Sequence, residues 1–120
     1  MLLIALLLVA AAPVQTQADM NRTTRDQYVQ ADAAMTAQWK RTLAYMKGRD
    51  AQDTSRGGGF GYAAALLESQ RAWLRFRDAQ CVIAGGEFAG GSAQGMAIGR
   101  CKAQLTRERT AQLKALVWPR

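Results

Sequence analysis

QRAWLRFRDAQC, residues 70–81, carries two aromatic side chains and three arginines, and their positions on a helix determine which of them face a protein core and which face solvent. At the rotation of about 100° per residue of an α-helix, Trp73, Arg77 and Cys81 share one face. Arg71 and Arg75 point away from that face. The stretch is therefore predicted to be an amphipathic helix whose inner face includes an arginine.

Helical periodicity extends over three segments of the chain. The first segment is 19–47, the second is 62–84 and the third is 96–117, which ends before Pro119. No run of β-branched or aromatic residues alternates with polar ones, so no strand is expected. The sequence predicts an all-α fold, a small three-helix bundle with long antiparallel helices.

Two glycine-rich segments separate the predicted helices. Residues 48–61, GRDAQDTSRGGGFG, combine turn formers with charges, so a helix is not expected there. Residues 85–95, GGEFAGGSAQG, interrupt the helical pattern a second time. The glycines of GFGYAA, residues 59–64, have the form of a phosphate-binding loop, but no strand precedes them. They are interpreted as the start of a helix.

The N-terminal residues 1–18, MLLIALLLVAAAPVQTQA, have the apolar run and the small-residue end of a secretory signal peptide. Cleavage is expected after Ala12 or after Ala18, which leaves a single domain at 19–120. The apolar run is too short to cross a bilayer as a helix. The expected product is a periplasmic or secreted protein that does not span the membrane.

The charge balance limits the kinds of partner. Sixteen Lys and Arg residues against nine Asp and Glu residues give a net charge of +7. Export excludes nucleic acid as the obvious partner of a basic chain and leaves a protein or anionic surfaces of the cell envelope. Histidine is absent, and no pair of carboxylates is placed across a cleft. Neither catalysis nor a bound metal or cofactor is therefore expected.

Cys81 and Cys101 are the two cysteines of the chain. Pairing is the default in a small exported domain, because the compartment is oxidising and the core is limited in size. A disulfide that closes a loop of this length stabilises a fold by about 3 kcal/mol. One disulfide is therefore expected between the second and third predicted helices.

Arg77 and Gln70 lie inside the apolar stripe of their helix, where an unpaired charge is very costly. Asp32 lies in the corresponding stripe of the first helix, at a similar distance from the connecting loop. Arg109 falls on the inner face of the third helix. The sequence predicts an ion pair between Asp32 and Arg77 within a structural polar core that also contains Gln70 and Arg109.

The second glycine-rich segment is a candidate partner-binding loop. It projects Glu87 and Phe88 from small residues, and a bridge between Cys81 and Cys101 would hold both of its ends. A few side chains dominate most protein interfaces. Phe88 would serve as the apolar anchor and Glu87 would meet a basic group, with Ser92 in the same loop. The alternative is a plain connection in which Phe88 folds back on the core.

Several pieces distributed over the exported chain carry a family pattern in combination. They are TQADMN (16–21), Tyr28, Ala31, Asp32, QRAWLRFRDAQC (70–81), GGS (90–92), Met96, Cys101, Leu105, Thr106, Arg109 and Leu113. In these pieces the chain resembles the LprI-like lysozyme inhibitor family. The resemblance implies an exported, disulfide-linked helical domain that binds and inhibits lysozyme.

Two details qualify the resemblance. It places TQADMN in the mature protein, which favours cleavage after Ala12, and Thr23 stands where family members often carry a further cysteine.

The alternative function is a basic module that binds anionic components of the cell envelope and does not act on lysozyme.

Overall fold

Three helices make up most of the chain. The computed structural model describes residues 10, 11, 13–54, 57 and 59–118. Helix α1 spans Gln17–Gln52, α2 spans Tyr62–Ala84 and α3 spans Gln94–Ala115, with one turn of 3₁₀ helix at Gly86–Phe88. No strand occurs among the described residues, and one disulfide joins α2 to α3. The predicted all-α, disulfide-linked bundle is confirmed.

The helices run up, down and up. Thr42 of α1 donates a hydrogen bond to the carbonyl of Leu113 in α3 over 2.9 Å, and Thr24 of α1 lies against Gly99 near the start of α3. Helices α1 and α3 are therefore parallel, and α2 runs antiparallel to both. None of the described helices has the length and apolar character that a membrane span requires.

The interior differs between the two ends of the bundle. The apolar core comprises Met35, Met46, Leu66 and Leu113, and it lies toward the end where α1 finishes and α2 begins. Toward the other end the buried side chains are small, polar or sulfur-containing: Thr24, Ala31, Arg77, Cys81, Ala103 and Thr106. The end with the disulfide thus relies less on large apolar side chains.

Helix α1 begins with a capping box. The Thr16 hydroxyl accepts from the Asp19 amide over 3.1 Å, and the Asp19 carboxylate accepts from the Thr16 amide over 3.3 Å. This reciprocal arrangement satisfies two amides that the first turn leaves without helical partners. Ala12 and most of the predicted signal peptide lie outside the described residues.

The expectation that helix would end before Gly48 is wrong. Helix α1 continues through Gly48 to Gln52. A glycine inside a helix costs about 1 kcal/mol relative to alanine, a penalty that tertiary contacts can offset. Here Arg49 packs between the rings of Tyr62 and Trp118, at 4.1 and 4.9 Å from their centroids. These contacts, distant in sequence, hold the extra turn.

Candidate functional site

The disulfide closes the loop between α2 and α3. Cys81 and Cys101 are bonded, with their Cα atoms 5.4 Å apart, and Cys81 is fully buried. Cys81 lies in the last turn of α2 and Cys101 in the second turn of α3. The ends of the intervening segment are therefore fixed to the two helices, as the sequence predicted.

The loop has its own hydrogen-bond pattern. The amide of Phe88 donates to the carbonyl of Gly85, and the amide of Gly91 donates to the carbonyl of Phe88, over 3.1 and 2.9 Å. The amide of Gly90 donates to the Gln94 side chain over 3.1 Å, and Gly90 has a φ of +78°, which favours glycine. Consecutive turns of this kind give the segment a defined shape.

The loop lies close against α3 at its first residue. Gly85 is buried, and a Cβ there would lie 2.8 Å from Ile98 Cγ1. Glu87, Phe88 and Ser92 are all exposed. Phe88 retains 46 % of its accessible surface, so it does not fold back into the core. The structure thus presents an aromatic ring and a carboxylate on a shaped loop at one end of the bundle.

Arg77 is buried at the centre of one polar cluster. Its Nε donates to Asp78 Oδ1 over 2.9 Å, its Nη1 lies 3.9 Å from Asp32 Oδ1, and the same Nη1 donates to Thr106 over 3.5 Å. Lys102 adds a second cation 3.9 Å from Asp78. Arg77 therefore has two carboxylates on different helices, and its charge is compensated.

Arg109 forms the second polar cluster, with neutral partners. Its Nε donates to Gln70 Oε1 over 2.9 Å, its Nη1 to Gln112 over 3.2 Å and its Nη2 to Ser69 over 3.0 Å. No carboxylate among the described residues forms an ion pair with it. Burial lowers the pKa of Arg109, because desolvation disfavours the charged form.

Trp73 lies between the two arginines. The guanidinium of Arg77 is 5.3 Å from its ring centroid and that of Arg109 is 5.7 Å from it. An indole face attracts cations, so this stack joins the clusters without a hydrogen bond between them. Of the predicted polar core, Gln70, Arg77 and Arg109 are buried, but the Asp32 side chain is 47 % exposed and lies at the margin.

The sequence did not reveal the role of Asp50. Its carboxylate accepts from the backbone amides of Gly61, Tyr62 and Ala63, over 3.1, 2.8 and 3.0 Å. These bonds, chiefly those from Ala63 and Tyr62, lower the pKa of Asp50. The amides that a phosphate would need at the start of α2 are thus occupied by a side chain of α1, in agreement with the interpretation of GFGYAA as a helix start.

A groove that the sequence did not indicate opens beside the loop. It lies between the first turns of α1 and α3, has a volume of about 410 Å³, and is lined by residues that include Tyr28, Met96 and Ile98. Arg25 and Lys102 also line it. Because α1 and α3 are parallel, their starts meet at the same end of the bundle as the loop. No group of acidic or cysteine side chains suited to a metal occurs in the described part of the chain.

Comparison with known proteins gives two matches. The family described as "Lysozyme inhibitor LprI" matches residues 9–113. An uncharacterized protein, R02472, of Rhizobium meliloti (strain 1021) is 38 % identical over 103 residues, which cover 85 % of this chain and 74 % of the relative. No solved structure matches the chain.

Proposed function

The chain belongs to the LprI family of lysozyme inhibitors, and from that membership we propose that it is an exported protein that binds and inhibits lysozyme through the loop between α2 and α3. The observation that carries the proposal is the family match over residues 9–113, which include this disulfide-held loop. The disulfide fits an oxidising compartment outside the cytoplasm. The family is one of inhibitors, so the proposed action is binding without catalysis.

The mature protein is proposed to begin upstream of Thr16. Cleavage after Ala18 would remove Thr16 and with it the capping box that starts α1. Cleavage after Ala12 would keep the cap and most of the matched region.

The loop has the properties that favour an interface. Its two ends are fixed by the disulfide, so less conformational freedom is lost on binding. Phe88 is exposed and offers a large apolar side chain for a pocket or cleft on the partner. Glu87 next to it supplies a charged acceptor.

Local charge suits a basic partner better than net charge does. The whole chain carries +7 and would be repelled by a basic lysozyme. Between Asp78 and Arg100, however, the sole charged residue is Glu87. The loop end of α2 and the first turn of α3 therefore contain no basic residue, which reduces repulsion where contact is proposed.

The groove beside the loop extends the proposed surface. Its volume of about 410 Å³ accommodates a side chain of the partner, and its lining combines Tyr28 and Met96 with Arg25 and Lys102. The catalytic cleft of lysozymes carries two carboxyl groups. Cations beside the inserted loop would complement such groups.

The direct test is the clearing of a peptidoglycan suspension by lysozyme. The purified protein should slow clearing at amounts stoichiometric with lysozyme. Phe88→Ala should raise the concentration needed for half inhibition by about tenfold or more, because an anchor side chain is lost. Glu87→Gln should raise it less.

Phe60→Ala is the matched control for the aromatic change. Phe60 has a similarly exposed ring, at 55 %, in the connection at the opposite end of the bundle. Its removal should leave inhibition unchanged. If a large excess of the protein does not slow clearing by several types of lysozyme, the proposal is overturned. If Phe88→Ala and Phe60→Ala weaken inhibition equally, the loop is not the inhibitory surface.

A second candidate is binding to anionic components of the envelope. Arg71 and Arg75 are exposed on α2, and neither forms an ion pair among the described residues. Binding to anionic polymers should then weaken steeply with salt, because screening acts on exposed charges. Salt-independent binding would exclude this candidate.

A further inference from the structure

Helix α2 has an uncharged face that is exposed along its length, although the Ser69 hydroxyl at its margin accepts a hydrogen bond from Arg109 of α3. Along it lie Ala65, Ser69, Ala72, Phe76, Ala79 and Ile83, all exposed. The two large apolar residues of this set, Phe76 and Ile83, keep 53 % and 70 % of their accessible surface. The buried side chains of α2, Leu66, Gln70, Arg77 and Cys81, point in other directions. This outer face of α2 is therefore available to a partner.

The outer face repeats with the seven-residue period of a two-helix contact. Ser69, Phe76 and Ile83 are spaced by seven, and Ala65, Ala72 and Ala79 are spaced by seven, with Ala72 three residues after Ser69. This alternation corresponds to the a and d positions of a heptad. The alanines allow the backbones of two helices to approach closely, and Phe76 supplies apolar area.

Two opposite charges flank the same side of the outer face. Glu68 and Arg75 both precede an a position and are also spaced by seven residues. In an antiparallel pair of identical helices, residues at this flanking position face each other across the seam. When Ser69 of one copy lies opposite Ala72 of the second copy, Glu68 of the first copy faces Arg75 of the second. By symmetry, Arg75 of the first copy faces Glu68 of the second. The flank is thus complementary to itself.

We infer that this face binds a second copy of the same chain, with α2 of each copy antiparallel to the other. The twofold arrangement forms both charge pairs at once and sets Phe76 of each copy against Ala65 of the other. It leaves the loop of residues 85–93 of each copy beyond the helix ends. The inference is independent of whether the partner of that loop is lysozyme.

Other occupants fit the face less well. An anionic membrane surface favours a helix flanked by basic residues alone, and here Glu68 lies on the flank. A parallel arrangement of two copies would not set Glu68 against Arg75, because the flanking positions then meet different partners. The charge pattern therefore selects the antiparallel homodimer.

Sedimentation velocity over a range of protein concentrations tests the inference. The wild type should change from monomer to dimer as concentration rises. Glu68→Arg and Arg75→Glu should each weaken dimerisation by at least about tenfold, because each sets two pairs of like charges against one another. An equimolar mixture of the two variants should dimerise, since every flanking pair is then of opposite charge.

Arg71→Glu is the matched control, because Arg71 is exposed on α2 but lies off the seam. Arg71→Glu alone should dimerise like the wild type. An equimolar mixture of Arg71→Glu with Glu68→Arg should dimerise less than the mixture of Glu68→Arg with Arg75→Glu. Circular dichroism should show unchanged helix content in all variants. A wild type that stays monomeric at the highest concentration, or single variants that dimerise as it does, would overturn the inference.

Discussion

Arg77 and Arg109 show how two buried arginines of one bundle are satisfied in different ways. Arg77 has the carboxylates of Asp32 and Asp78, whereas Arg109 has hydrogen bonds to amides and a hydroxyl. The sequence identified both as inner-face residues because helical periodicity fixes the direction of a side chain. It also paired Arg77 with Asp32, which the structure places 3.9 Å apart, but it could not assign the neutral partners of Arg109, since these depend on the heights of three helices.

The two clusters predict different costs of mutation. Asp32→Asn should lower the free energy of unfolding by less than about 1 kcal/mol, because Asp32 is half exposed and Arg77 keeps Asp78. Gln70→Leu should lower it by about 1–3 kcal/mol, because the buried Nε of Arg109 loses its acceptor. Urea unfolding of both variants measures the difference. The reverse order of costs would contradict the assignment of partners.

Asp50 predicts a dependence of stability on pH. Its pKa is lowered in the folded state from the ordinary value of 3.8, so its contribution is complete above that value and is lost as the pH falls through the lowered pKa. Asp50→Asn should therefore be less stable than the wild type at pH 7, and the difference should shrink on acidification. Urea unfolding at several pH values tests this.

At the scale of elements, α2 was predicted with its observed bounds and α1 was not. Tyr62 and Ala84 adjoin glycines, which mark both ends of α2 in the sequence. Gly48 precedes the last turn of α1 as well, but there contacts of Arg49 and Asp50 with distant residues outweigh it. Local sequence therefore predicts a helix end wrongly where long-range contacts stabilise helical residues beyond a glycine.

The close contact of α1 with α3 predicts opposite effects at two glycines of α3. A Cβ at Gly99 would lie 2.8 Å from Thr24 Cγ2, whereas one at Gly95 would meet no atom within 4 Å. Gly95→Ala should stabilise the fold by about 0.5–1 kcal/mol through helix propensity. Gly99→Ala should destabilise it by about 1 kcal/mol through overpacking. Thermal unfolding compares the stabilities of the two variants. If Gly95→Ala and Gly99→Ala stabilise the fold equally, the observed packing of α1 against α3 is contradicted.

At the scale of the molecule, the disulfide supports the end of the bundle with few large apolar side chains. Replacing both cysteines with serine should lower the free energy of unfolding by about 3 kcal/mol, because the unfolded chain loses a loop constraint. The loop should then be less defined, and inhibition of lysozyme should weaken even where the protein remains folded. Chemical unfolding and the clearing assay measure the two effects. Unchanged inhibition in the folded variant would show that the bridge does not shape the surface.

The candidate surface was predictable in part. Glu87 and Phe88 are conspicuous between glycines, and the cysteines fixed the ends of their loop. The adjoining groove was not predictable, because it requires Tyr28 of α1 and Met96 of α3 to meet. That meeting follows from the parallel arrangement of two helices that are not consecutive in the chain.

Hydrogen–deuterium exchange with and without lysozyme shows whether residues 85–93 contact lysozyme, as proposed. Backbone amides of this loop and of the first turn of α3 should exchange more slowly in the complex, while those in the connection between α1 and α2 should not change. Unaltered exchange in residues 85–93 under conditions that saturate binding, or protection confined to another part of the chain, would contradict the account.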